Sequence, residues 1–70
     1  MQKTELDVLV ELKGGTTKIT LHEGSNYEQL VQKLTLNPEE VLVFVDGVSV
    51  PSDERVKPGH VRVVKIVSGG

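Results

Sequence analysis

Residues 25–34, SNYEQLVQKL, decide the fold of this 70-residue chain. Four apolar residues recur in them at helical spacing and form a single stripe that needs a sheet to cover: Tyr27, Leu30, Val31 and Leu34. Ser25 is placed to cap the helix, with Glu28 three residues later completing a capping box. We expect the helix to end near Thr35, ahead of the Asn37-Pro38 pair. No other helical pattern occurs in the chain, so one helix must pack across one face of a sheet.

The residues before the helix alternate between apolar and polar side chains. Residues 5–13 place Leu6, Val8, Val10 and Leu12 on one face, which predicts a half-buried strand. Residues 14–16 are predicted to form a turn, and residues 18–22 alternate again with Ile19 and Leu21 facing inward. The two strands therefore form a hairpin.

The residues after the helix predict three further strands. Residues 41–45 are continuously apolar, Asp46-Gly47 is a two-residue hairpin signal, and residues 48–50 form a short strand that Pro51 ends. Pro58-Gly59 has the residues of a type II turn before a closing strand over residues 60–67. Glu39-Glu40, after a proline, indicates a solvated turn or a first helical turn.

The predicted element order is β-β-α-β-β-β, an α+β fold with one helix. A ferredoxin-like sandwich needs a second helix, so the β-grasp arrangement is the simplest solution, with a mixed four- to five-stranded sheet. In that arrangement the first and last strands lie side by side and parallel. We expect residues 1–67 to form one domain and residues 68–70 to form a flexible tail.

The composition excludes several classes of function. The chain has no cysteine, a formal charge of −2 without a basic stripe, and only two aromatic residues, Tyr27 and Phe44. These features argue against thiolate metal sites, nucleic-acid binding and base stacking. His22 and His60 have no companion residues at metal-ligand spacing, and no catalytic triad or phosphate loop occurs. With no apolar run long enough to span a membrane and no signal-peptide pattern, we expect a cytoplasmic protein that binds no membrane, no metal and no cofactor of its own.

Strand alternation predicts an apolar surface on the sheet face that the helix leaves open. If the odd-numbered valines of residues 41–45 face the helix, Leu42 and Phe44 face the other way, as do Val64 and Ile66 in the last strand. Leu9 is the one apolar residue on the polar side of the first strand. These five residues are a candidate partner interface, because large exposed apolar patches usually bind something. The alternative is that residues 48–57 fold over this surface and make it a second small core.

The chain ends in Ser68-Gly69-Gly70, directly after the valine-rich last strand. Extended, these three residues reach about 10 Å. Because glycine lacks a Cβ, the two glycines can enter a slot too narrow for other residues. This pattern is suited to delivering a terminal carboxylate into another protein's active site.

The strand order, the Asp46-Gly47 hairpin, the Pro58-Gly59 turn and the ending at residues 61–70, VRVVKIVSGG, together resemble the ThiS/MoaD family of ubiquitin-like sulfur carriers and the related archaeal ubiquitin-like modifiers. The resemblance implies that a ubiquitin-activating-type adenylating enzyme uses ATP to activate Gly70, while Gly69 and Ser68 thread a narrow channel. It further implies that this protein is a substrate and carrier, with no active site of its own. Two departures weaken assignment to one pathway: His60 stands where an acidic residue is common, and Ser68 stands where alanine or glycine is usual.

Three functions remain open from the sequence. The first is a sulfur carrier with a Gly70 thiocarboxylate, serving thiamine, molybdopterin or tRNA thiolation through sulfur donor and acceptor proteins. The second is a protein modifier joined through Gly70 to target lysines. The third is a β-grasp interaction domain that is never activated. Self-conjugation would use one of the chain's own lysines, which are Lys3, Lys13, Lys18, Lys33, Lys57 and Lys65. A monomer is expected, because a carrier's tail must enter another protein.

Overall fold

The computed structural model describes residues 4–66 and contains the predicted elements in the predicted order. The strands are β1 (Glu5–Leu12), β2 (Gly15–His22), β3 (Val41–Val45), β4 (Val48–Val50) and β5 (His60–Lys65). Helix α1 spans Tyr27–Lys33, and a short 3-10 helix, Pro38–Glu40, precedes β3. The expected turn at Glu39-Glu40 is therefore confirmed as a 3-10 turn, capped by the Asn37 side chain.

The five strands form one mixed sheet in the order β2-β1-β5-β3-β4. β1 and β5 run parallel at its centre, whereas the other neighbouring pairs are antiparallel. Parallel neighbours need a long crossover, and here the crossover contains β2, α1 and the β3–β4 hairpin. The predicted β-grasp fold is confirmed.

The core lies between the helix and the inward face of the sheet. The helix contributes Tyr27, Leu30 and Val31, all at most 1% exposed, and the two central strands contribute Val8, Val10, Val61 and Val63. Leu34, at the end of the predicted stripe, is partly buried against this cluster. The helical stripe and the inward strand faces are therefore confirmed, and they leave the opposite sheet face without a covering layer in residues 4–66.

Of the three turns predicted to lead from one strand into the next, two differ in detail. Asp46 and Gly47 both have positive φ, 53° and 82°, as the predicted two-residue hairpin requires. β2 begins at Gly15 rather than after Thr16, because Leu12 pairs with Gly15 and only two residues connect the strands. Gly59 has a φ of 145°, far from the roughly +80° of a type II turn, so the residues before β5 form a bend.

The helix N-terminus is capped one residue later than predicted. The Asn26 side chain accepts a hydrogen bond from the Gln29 backbone N–H at 3.0 Å, and the Gln29 side chain accepts one from the Asn26 N–H at 3.1 Å. The prediction of Ser25 and Glu28 as the capping pair was wrong. The Ser25 backbone is used elsewhere, because its N–H donates to His22 and its carbonyl accepts from Val56.

The connection between β4 and β5 closes this end of the core. The carbonyls of Ser52 and Glu54 accept hydrogen bonds from the first helical N–H groups, those of Glu28 and Tyr27, at 2.8 and 3.1 Å. Val56 is 5% exposed and belongs to the core. This polar connection, to which the sequence assigned no helix or strand, therefore supplies both core packing and partners for the helix N-terminus.

The helix C-terminus ends in a Schellman motif at an unusual residue. The N–H of Leu36 donates to the Val31 carbonyl and that of Thr35 to the Gln32 carbonyl. This geometry places Thr35 at a φ of 63°, a left-handed conformation that glycine usually adopts. The helix thus ends where the sequence predicted, although a β-branched residue occupies the strained position.

Candidate functional site

The last strand is held firmly up to the final described residue. β5 lies between β1 and β3, and its inward residues Val61 and Val63 are at most 4% exposed. The N–H of Ile66 donates to the Glu40 carbonyl at 2.9 Å, one residue beyond the strand. The predicted attachment residue Gly70 and the predicted threading residues Gly69 and Ser68 lie outside the described residues, so their roles stay predictions.

An apolar surface occupies the open sheet face next to this end of β5. Leu42 pairs directly with Val64 across the β3–β5 ladder, and they are 41% and 36% exposed. Ile66 is 54% exposed and follows Val64 on the same face, while Phe44, half-buried, follows Leu42 on β3. These four residues, hereafter the open-face patch, form one continuous surface beside the start of the C-terminal segment.

Leu9 shares this face but lies apart from the open-face patch. It is 50% exposed and pairs with His60 on one side and Lys18 on the other. The next pair on this face, Glu11 with Arg62, separates it from Val64. The register thus divides the five predicted interface residues into a group of four and an isolated leucine.

Polar side chains border the open-face patch on its β1 side. Glu11 and His60 approach to 3.4 Å between Oε1 and Nε2, and both are about half exposed. Asp7 lies farther along β1, where it accepts a hydrogen bond from the Thr20 hydroxyl at 2.9 Å. Glu11 and Arg62 were not among the predicted interface residues, although strand alternation places both on this face.

The alternative covering of this face by residues 48–57 is wrong. The segment that follows β4 bonds to the helix N-terminus, and Val56 packs into the core on the helix side of the sheet. Within residues 4–66, the open-face patch is therefore exposed to solvent rather than buried under this connection.

The five lysines within residues 4–66 all have exposed side chains: Lys13, Lys18, Lys33, Lys57 and Lys65. The Lys33 ammonium donates to the Thr20 carbonyl at 3.0 Å, and that of Lys18 lies 3.9 Å from the Asp7 carboxylate. Lys3 lies outside the described residues.

Residues 4–66 contain no group of three or more His, Cys, Asp or Glu side chains placed to hold a metal ion. The described part of the chain also has no helix with the length and apolar content needed to cross a membrane. The distinctive features of the described structure are therefore a closing strand whose hydrogen bonds continue to Ile66 and the open-face patch beside it.

Comparison with known sequences identifies relatives across nearly the whole chain. The family described as small archaeal modifier protein 2 matches residues 6–67. The chain is 36% identical over 66 residues to the small archaeal modifier protein 2 of Haloferax volcanii, covering 93% of this chain and 100% of that protein. It is also 40% identical over 47 residues to an uncharacterized protein of Archaeoglobus fulgidus, covering 67% of this chain and 70% of that one.

Comparison with solved structures shows the same fold in ubiquitin-like domains. The N-terminal ubiquitin-like domain of the 4931431F19Rik protein aligns with a TM-score of 0.77 at 18% identity, covering 99% of this chain and 82% of that one. The ubiquitin-like domain of the Arabidopsis thaliana protein At2g32350 aligns with a TM-score of 0.76 at 10% identity, covering 96% and 83%. At these identities the likeness shows that the fold is ubiquitin-like.

Proposed function

This chain belongs to the small archaeal modifier protein 2 family, and from that membership we propose that an ATP-dependent adenylating enzyme activates its Gly70 carboxylate for transfer. The observation that carries the proposal is the 36% identity to a small archaeal modifier that the chain covers along its entire length. Members of this ubiquitin-like family are substrates and carriers rather than catalysts. The Gly69-Gly70 ending supplies a terminal acyl group suited to that role.

The proposed activation solves a specific chemical problem, since a carboxylate is a poor electrophile. In the first step a Gly70 carboxylate oxygen attacks the α-phosphorus of ATP, an O–P bond forms, and pyrophosphate leaves. The product is an acyl adenylate, in which AMP is a good leaving group. The partner enzyme binds the ATP, and the chain contributes only the terminal carboxylate and the surface that docks it.

The open-face patch is the proposed docking surface for this enzyme. It lies on the same side as the end of β5, where Ile66 is fixed to Glu40. Four residues, 67–70, separate Ile66 from the terminus and span at most about 14 Å when extended. An enzyme that covers Val64 and Ile66 therefore has the Gly70 carboxylate within that distance of its docking site.

Two fates of the adenylate are proposed, each favoured by a different observation. Attack by a sulfide on the acyl carbon releases AMP and leaves a Gly70 thiocarboxylate for sulfur transfer, and the resemblance of residues 61–70 to sulfur carriers favours this product. Attack by a neutral lysine amine releases AMP and a proton and leaves an isopeptide bond. The description of the Haloferax relative as a modifier favours this second product.

Intact-mass analysis of the protein isolated from its native cells, with fragmentation to locate any change, tests the proposal. A thiocarboxylate on Gly70 would establish the sulfur carrier, and a lysine joined to Gly70 would establish the modifier. Replacement of one oxygen by sulfur nearly matches the mass of oxidised Met1, so the change must be placed on Gly70. An unmodified terminus that also remains unmodified with ATP and the adenylating enzyme would refute activation and leave the passive interaction domain.

Matched variants of the tail test the same proposal in vitro. Gly69→Val adds a branched side chain to the residue proposed to thread the channel, and it should abolish adenylate formation. Ser68→Ala keeps a small residue beside it and should leave adenylate formation unchanged. Pyrophosphate exchange measures both, and equal activity of the two variants would contradict the threading role of Gly69.

A further inference from the structure

The central parallel ladder ends before β5 does. The pairing of β1 with β5 stops at Glu11 and Arg62, and β1 then turns away through Lys13 and Gly14 into β2. β5 continues to Lys65 along β3. The last three residues of β5 therefore have a neighbouring strand on only one side within residues 4–66.

The hydrogen-bond register shows which backbone groups face the vacated side. The Ile66 N–H bonds to the Glu40 carbonyl, in register with the Leu42–Val64 pair. Alternate residues of an antiparallel ladder bond to the same neighbour, so Val64 and Ile66 direct their backbone groups toward β3. The Val63 carbonyl and the Lys65 N–H accordingly point to the side that β1 has left. They form a short free strand edge about 10 Å long.

A cleft lies along this edge, with apolar walls and a basic rim. Its volume is about 930 Å³, and Leu12, Leu34 and Leu36 line it together with the edge of β5. Three basic side chains, Lys13, Arg62 and Lys65, also line it, against the single acid Glu11. Glu11 lies 3.4 Å from His60 on the open face. In a chain with a net charge of −2, this cleft is a local concentration of positive charge.

We propose that the cleft binds an extended, acidic peptide segment of a partner protein, which adds to the free edge of β5 as a sixth strand. The peptide backbone would bond to the Val63 carbonyl and the Lys65 N–H, as in other cases of strand addition. An apolar peptide side chain would pack against Leu34 and Leu36, and carboxylates would face the basic rim. A second copy of this chain is disfavoured as the occupant, because pairing two such edges would bring like charges together. The proposal is separate from tail activation, and the cleft shares only Val64 with the open-face patch.

Titration of the ¹⁵N-labelled full chain with the synthetic peptide acetyl-EVDLEVE-amide, followed by NMR, tests this proposal. We expect saturable shifts of the amides around the cleft, with the Lys65 amide proton moving downfield as it gains a hydrogen bond. The double variant Lys13→Glu, Lys65→Glu should raise the dissociation constant at least tenfold. Lys57→Glu makes the same kind of substitution at one exposed residue outside the cleft, with half the total charge change, and should leave the dissociation constant within about twofold.

Two further peptides separate strand addition from other modes of binding. A peptide with lysine in place of each acid should bind at least tenfold more weakly, and EVDPEVE, whose central proline lacks an N–H, should also bind more weakly. Absence of shifts at millimolar peptide, equal binding of the proline peptide, or shifts centred on Leu42 and Phe44 would each overturn the proposal. So would binding that appears only after residues 67–70 are deleted, since the chain's own tail would then be the occupant.

A Phe44→Ser variant, which adds no charge beside Arg62, makes failure of this proposal distinguishable from failure of the proposed function. It removes the aromatic side chain from the open-face patch and should weaken adenylation. It should leave the peptide's dissociation constant unchanged, and a parallel loss of peptide binding would place the peptide on the open face instead.

Discussion

The double variant Leu42→Ser, Ile66→Ser removes two exposed apolar side chains from the open-face patch. It should weaken docking on the adenylating enzyme by an amount that can be calculated from the exposure of the two side chains. Full burial of a Leu or Ile side chain is worth about 1.5–3 kcal/mol. Leu42 is 41% exposed and Ile66 is 54% exposed. Burying the exposed part of each side chain under the enzyme is therefore worth roughly 0.6–1.2 kcal/mol for Leu42 and roughly 0.8–1.6 kcal/mol for Ile66. The sum, about 1.4–2.8 kcal/mol, corresponds to a rise of about 10- to 100-fold in the KM of the enzyme for this protein.

Pyrophosphate exchange at varied carrier concentration measures this effect. The kcat should stay unchanged, because the variant retains the tail and its carboxylate, and only binding energy shared by ground and transition states is lost. Val48→Ser is the matched control, since Val48 is 65% exposed but lies on the helix side of the sheet. An equal KM for the double variant and the native chain, or an equal rise for Val48→Ser, would refute docking through the open-face patch.

Three predictions concern stability and are measured by guanidinium unfolding. Thr35→Gly should stabilise the protein by about 0.5–1 kcal/mol, because the relief of left-handed backbone strain outweighs the higher conformational entropy that glycine gives the unfolded chain. A lower stability of this variant would contradict the prediction. Asn26→Ala should cost about 1 kcal/mol through loss of the capping bond, and Ser25→Ala should cost clearly less, so equal losses would argue against the observed cap. Leu30→Ala should cost about 2–5 kcal/mol because Leu30 is fully buried, whereas Val48→Ala at an exposed site should change stability by at most about 0.5 kcal/mol.

The fold was predictable from the sequence because local patterns and global packing agree. Alternation in β1 and helical spacing in α1 each predict which side chains face the core, and those side chains, such as Val8 and Leu30, are buried. Only one helix was available to cover the sheet, and that single constraint selected the β-grasp order. The Asp46-Gly47 hairpin was equally local, because positive φ at both positions requires residues of this kind.

The errors arose where distant contacts choose between equivalent local patterns. The sequence around the helix start fits a capping box in two registers, one beginning at Ser25 and one at Asn26. The bond from the Val56 N–H to the Ser25 carbonyl holds Ser25 outside the helix, and no local window contains that information. The same segment carries Val56 into the core, and a lone valine in a polar connection was the only signal for it.

The site was predictable in composition but not in arrangement. Alternation placed Leu42, Val64 and Ile66 on the open face, where they are exposed. Separation of Leu9 from them follows from the β1–β5 register, which sets Arg62 against Glu11. The cleft beside β5 depends on where β1 turns away from its neighbour, and that in turn depends on the lengths of two strands far apart in sequence.

The central position of β5 also governs when this protein can fold during its synthesis. β5 is the last of the five strands to leave the ribosome, yet it joins the β2-β1 hairpin to the β3-β4 hairpin. Its contacts with β1 connect residues about fifty positions apart, as in the Leu9–His60 pair. A nascent chain that ends before residue 60 has two hairpins and a helix but no strand to unite them. Such long-range closure is slow relative to local pairing, so the ubiquitin-like body assembles only after translation of its closing strand.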